Sequence, residues 1–285
     1  MLGEKIDTFI LRLIAHDRNI LTEEQIEAKT NYQAETCSYV AIDKDFVKFT
    51  SRAGKYFDWK GKKILDVACG KGNLANFLAK KGASAVWGID IQNKHLRIAR
   101  SVAKREDINN VIFIEGDFHK WETQERFDYV ISYEALDHIP NTRATLEKMA
   151  NLLRKEGKII NFAAGFWFGP SADHCDEFMR FFIPWRHLLF NEKALFNVRR
   201  EKYRPTDPAT CFEDIRGGLS KYTLSGYKKA IFDSGLKICA FETNYQFKYK
   251  YKGLLYPISN FFTRIPLIGE LFVFSTFAVL TKRSS

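Results

Sequence analysis

Five short apolar runs punctuate the middle of the chain, each with a polar or acidic residue at or near its end. Ile64-Leu-Asp-Val is followed by Val86-Trp-Gly-Ile-Asp90, Val111-Ile-Phe-Ile-Glu-Gly-Asp117, Phe127-Asp-Tyr-Val-Ile-Ser132 and Gly157-Lys-Ile-Ile-Asn-Phe162. Runs this short and this rich in β-branched and aromatic residues predict buried strands, and the segments between them have helical spacing. Strands alternating with helices predict a parallel sheet covered on both faces. Before them, Leu2 to Leu21 carries Ile6, Phe9, Ile10, Leu13 and Ile14 on one helical stripe, and Gln33 to Tyr56 continues with amphipathic helix. Later, Thr223 to Ser234 predicts a helix with Thr223 as N-cap, then a strand over Lys237 to Tyr245 with Thr276 to Lys282 as its antiparallel partner.

The first strand leads into Asp66-Val-Ala-Cys-Gly70-Lys-Gly72, a turn that opens a helix. Glycine lacks a Cβ, so main-chain N–H groups at the positive end of that helix can approach a ligand closely. Gly70, Gly72 and Ala75 also satisfy a dinucleotide fingerprint, with Asp90 near the offset of a ribose-binding acid. Asp66, four residues before the first glycine, is not required by such a turn and suits a ligand with a cationic amino-acid end. Asp90 ends the second strand, where a carboxylate can take both hydroxyls of a ribose. Asp117 beside Phe118 ends the third, suited to an exocyclic amine and a stacked purine.

With these motifs the chain resembles the class I S-adenosylmethionine-dependent methyltransferases, over roughly residues 40 to 165 and again through the late strand pair. The resemblance implies an α/β, doubly wound, mostly parallel seven-stranded sheet of the Rossmann-like methyltransferase type, with a reversed final hairpin and an inserted cap. It implies S-adenosyl-L-methionine as cofactor, held at its methionine end by Asp66, Ala68, Gly70 and Gly72, at the ribose by Asp90 and the neighbouring Ile91, and at the adenine by Asp117 and Phe118. Ser132 would lie near the methyl group. Ala68 stands where the family often has its first glycine.

Four segments follow: an N-terminal helical lid (1–56) in which Tyr32 or Tyr39 could contribute, the cofactor-binding core (57–165), an inserted substrate cap (166–222), and a C-terminal completion of the sheet (223–285). An aromatic, Pro- and Arg-containing insertion as long as 166–222 is where substrate choice is expected. Its Trp167, Phe168, Trp185 and Phe190 could wall a sugar or ring, or form the cap's own core.

Composition narrows the partners. The 285 residues are 46% hydrophobic with a net charge of +10, and residues 180–264 alone hold sixteen Lys or Arg against seven Asp or Glu. Such a surface favours phosphorylated substrates, nucleic acid or an acidic membrane face. The basic residues form no recognisable RNA module. Phe247-Lys-Tyr-Lys-Tyr-Lys and the apolar Ile258 to Phe274 could meet a lipid surface peripherally, but Pro257, Arg264, Pro266 and Glu270 interrupt any bilayer span. Five scattered cysteines without a C-x-x-C pair argue against a disulfide framework or a zinc site. With no basic n-region before an apolar core, the reading is cytoplasmic.

The resulting expectation is transfer of a methyl group to a small-molecule, glycan or lipid-linked acceptor, at oxygen. His138, just past the fourth strand, is a candidate base, and Asp173 with His174 a second catalytic pair at the mouth of the insertion. No metal site is expected. His187 is expected to pack rather than react. A nicotinamide-dependent oxidoreductase shares the glycine turn, but its Tyr-x-x-x-Lys spacing occurs only at Tyr56 to Lys60, before the first strand. An RNA- or membrane-surface-binding member of the fold is the other alternative.

Overall fold

The computed structural model describes residues 2–16, 22–36, 49–170, 172–173, 178–203, 209–214, 219–248, 255–266 and 268–283. Seven strands form one sheet: β1 (Lys63–Val67), β2 (Ala85–Asp90), β3 (Val111–Glu115), β4 (Phe127–Tyr133), β5 (Leu153–Ala164), β6 (Leu236–Thr243) and β7 (Ser275–Lys282). Their order is β3-β2-β1-β4-β5-β7-β6. The first five pair in parallel, and β7 runs antiparallel to both β5 and β6. The reversed final pair predicted from the sequence is present, and it separates this sheet from a wholly parallel dinucleotide-binding one.

Alternating side chains divide the sheet between two cores. Leu65, Val67 and Val130 meet α5 (Thr142–Leu152) and α8 (Leu224–Asp233) on one face. Ile64, Tyr129 and Ile131 meet α3 (Asn73–Lys80) and α4 (Asn93–Arg105) on the other. Thr223 caps α8 as the sequence predicts, its hydroxyl accepting from Gly226 N at 2.9 Å. The sheet order reverses between β1 and β4, so the cleft for a ligand opens above their carboxyl ends.

The leading segment divides in two. α1 (Leu2–Ile14) packs on α7 (Glu192–Lys202) of the insertion, next to the short α6 (Arg186–Leu189). There Leu11 and Ala15 join Phe178, Leu195, Phe196 and Phe212 in a third core. Ala15 also bridges to Met179 as an isolated antiparallel pair. α2 (Glu23–Thr36) packs instead on α4 through polar contacts, with Arg97 donating to Glu27 at 2.7 Å and to Asn31 at 3.1 Å. The stripe read from the sequence of α1 is largely solvent-facing: Ile6, Phe9 and Leu13 are 51%, 64% and 60% exposed, whereas Leu11, off the stripe, is fully buried. α9 (Leu255–Phe262) precedes β7. Among the described residues, no helix is long and apolar enough to cross a membrane.

Candidate active site

Above the carboxyl ends of β1, β2 and β4 lie two cavities that share a wall. The larger, about 320 Å³, is lined by Gly70, Asp90, Ile91, Asp117, Phe118 and His138, with His95, Gly116 and Ile139 among its other walls. The smaller, about 290 Å³, is lined by Asp66, Cys69, Lys71, Asn73 and Phe49. Ala68, Tyr133 and Glu134 border both, so the two compartments form one cleft with a waist.

The glycine turn is shaped by backbone that side chains resist. Gly70 and Gly72 have φ of +53° and +67°, and a Cβ on Gly72 would lie 2.6 Å from both Ala99 Cβ and the Phe113 ring. Ala68 adopts φ +57°, the left-handed conformation that explains why glycine suits this position. Asp90 fixes the turn from β2. One carboxylate oxygen accepts from Gly70 N and the other from Gln92 N, each at 2.8 Å, which leaves further lone pairs for a ligand's hydroxyls. Asp117 is oriented by His119 N, which donates to it at 2.9 Å.

Asp66 is buried at the end of β1, and among the described residues its carboxyl has no cationic partner. Burial and then the nearby Asp90 charge push its pKa up to about 8. A buried carboxyl in this condition fits a ligand that brings a positive charge. Burial lowers the pKa of His95 in the adjoining compartment, with Asp90 opposing that shift.

The waist is held by groups that the sequence reading did not single out. Tyr245 Oη donates to Glu134 Oε1 at 3.1 Å, and the Arg52 guanidinium lies 3.6 Å from the same oxygen. Arg52 also donates to the Tyr133 hydroxyl and stacks 5.0 Å from the Tyr245 ring centroid. Tyr133 ends β4, one residue beyond the predicted strand, and Glu134 follows it. Arg52 and Tyr245 come from segments remote in sequence and carry no motif.

Of the predicted site residues, Asp66, Ala68, Gly70, Asp90, Ile91, Asp117, Phe118 and His138 line this cleft. Gly72 supports the turn from behind. Ser132 does not reach the cleft: it is fully buried, in register with Asn161, and the strand alternation gives the cleft position to Tyr133. Asp173 also departs from its expected role. It forms a fully buried ion pair with Arg186, lines neither cavity, and so has its charge already committed. His174 and Tyr39 lie outside the described residues. His187 packs as expected, donating to Trp167 O at 2.6 Å. None of the insertion's described residues lines either cavity. Trp167 and Phe190 instead join the insertion's own core, and Trp185 donates to Leu271 O at 2.8 Å.

Comparison with known proteins agrees with this geometry. Residues 58–165 match a family described as "Methyltransferase domain". A ubiquinone biosynthesis O-methyltransferase of Neisseria meningitidis is 36% identical over 108 residues, which cover 36% of this chain and 44% of the relative. The enzyme of that name from Aeromonas salmonicida is 32% identical over 112 residues, 39% of this chain and 45% of the relative. The chain thus spans under half the length of these curated relatives. Among solved structures, an S-adenosylmethionine-dependent methyltransferase from Clostridium acetobutylicum aligns over 84% of this chain and 90% of its own, with TM-score 0.50 and 12% identity. At that identity the likeness is one of fold.

Proposed function

We propose that this chain transfers a methyl group from S-adenosyl-L-methionine to a hydroxyl of a small-molecule, glycan or lipid-linked acceptor, a reading supported by the match of residues 58–165 to a methyltransferase-domain family. The observation that carries the reading is the two-compartment cleft: Asp66 on one side, Asp90 and Asp117 on the other, and Ala68, Tyr133 and Glu134 at the waist. Oxygen as the acceptor atom is supported by the O-methyltransferase relatives.

When bound, the cofactor supplies a methyl group already activated by a sulfonium. In this reading the chain's residues chiefly align the acceptor and exclude water. Asp66 neutralises the cationic methionyl end, while Gly70 and Gly72 let the backbone approach it. Asp90 takes the ribose hydroxyls, and Asp117 with Phe118 takes the adenine. Glu134, braced by Arg52 and Tyr245, accepts a hydrogen bond from the acceptor hydroxyl at the waist, and His138 is the group to receive its proton.

Thermal unfolding with ligands tests this. S-adenosylhomocysteine at a hundredfold excess over its Kd should add about 2.7 kcal/mol of stability, whereas NADH should add none. Asp90→Ala should remove the shift. Labelled donor incubated with metabolite fractions should then identify the acceptor. A shift with NADH and none with S-adenosylhomocysteine would overturn the reading.

A further inference from the structure

We propose that α1, residues 181–189 and α9 form a docking surface for a bilayer rich in anionic lipids. The first observation is exposure. Phe9 and Leu13 of α1, Phe181 and Leu189 of the insertion, and Ile258 and Phe261 of α9 are each more than half exposed, at 55–65%. Scattered apolar residues on a surface are ordinary, but a helix whose apolar stripe faces outward is not.

The second observation is that the three groups are tied together. Arg180 N donates to Ile14 O at 3.0 Å and Arg180 Nε to Ala15 O at 2.9 Å, which sets Phe181 and Phe182 at the end of α1. Asn191 N donates to Asp7 Oδ2 at 2.8 Å, which brings Leu188 and Leu189 to its other half. On the far side, Trp185 meets Phe272 with ring centroids 6.1 Å apart, and Phe272 meets Phe262 of α9 at 5.0 Å.

Charge selects the occupant. Residues 178–190 and 255–268 contain no Asp or Glu, and their charged side chains are Arg180, Arg186 and Arg264. Arg186 is neutralised by Asp173, leaving exposed Arg180 and Arg264 beside the apolar residues. α1 adds Glu4 and Asp7 against Lys5 and Arg12, with Asp7 accepting from Asn191 N, so the positive excess lies in 178–190 and 255–268, where aromatic and aliphatic side chains bordered by arginine complement anionic headgroups over acyl chains. The insertion leaves the sheet from the carboxyl end of β5, the edge that also carries the cleft, so docking would bring a lipid surface to the same side of the molecule.

Flotation with vesicles tests the proposal independently of methyl transfer. The full chain should float with phosphatidylcholine vesicles containing phosphatidylglycerol and remain largely unbound with phosphatidylcholine alone. Raising the salt should weaken binding. Combined Phe181→Ser, Phe182→Ser, Leu188→Ser and Leu189→Ser should reduce flotation about tenfold or more. An unchanged unfolding profile by circular dichroism would exclude misfolding, and if this variant fails to fold, Phe9→Ser with Phe261→Ser makes the same test. Three results would overturn the proposal: no flotation of the wild type, equal flotation with both vesicle types, or light scattering that finds a dimer abolished by the same substitutions. A failure to bind S-adenosylhomocysteine would leave it standing and overturn only the proposed activity.

Discussion

Asp66 links the protein's stability to its ligand. With the folded pKa near 8 and the ordinary value at 3.8, the unfolded chain gives up this proton first as pH rises. The folded state therefore holds the extra proton, so this group's contribution to stability is full below about pH 4 and falls progressively towards pH 8. A cationic ligand reverses the preference by favouring the carboxylate. Calorimetric titration of S-adenosylhomocysteine at pH 7 should detect proton release as a dependence of the measured heat on buffer ionisation enthalpy, and Asp66→Asn should abolish it. An unchanged buffer dependence in Asp66→Asn would assign the proton elsewhere. The residues at this level were legible in the sequence where chemistry and strand ending coincide, as at Asp66, Asp90 and Asp117. They were not legible where pairing decides. Asp173 has the composition of a catalytic acid, but Arg186 from further along the chain buries and neutralises it.

At the scale of elements, α2 differs from the helices that pack directly on the sheet. Thr30 is its one buried residue among those described, and the helix is held to α4 by the exposed Arg97 contacts and to the glycine turn by a half-buried one, Lys71 Nζ to Gln33 Oε1 at 3.0 Å. Solvent competes with such bonds, so its local opening free energy should be small. Amide hydrogen exchange should find α2 at least about a hundredfold less protected than β1 and β4, with added S-adenosylhomocysteine slowing it through the Lys71 contact. Equal protection in the free protein would contradict that view. The strands were readable because a buried parallel strand needs only a short apolar run. The orientation of α1 was not, because periodicity reports that a helix has an apolar face and says nothing about which neighbour, if any, covers it. The core residue there is Leu11, chosen by the approach of α7 rather than by the strongest stripe.

At the scale of the whole molecule, the third core joins α1 to the insertion away from the two cores that sandwich the sheet. Damage there should leave the cleft intact. Leu11→Ala, at a site with no exposure, should cost about 2–4 kcal/mol in chemical unfolding followed by fluorescence, while S-adenosylhomocysteine affinity stays within about twofold. A matching loss of affinity would mean that the third core and the cleft unfold as one unit. The sheet has the opposite property, because β7 lies between β5 and β6 and pairs with both. During translation β6 leaves the ribosome before the strand that attaches it, and in the finished sheet its one neighbour is β7. Until Ser275–Lys282 emerges, the growing polypeptide carries two bare hydrogen-bonding ladders, so a nonsense codon ahead of Ser275 would forfeit both pairings at once.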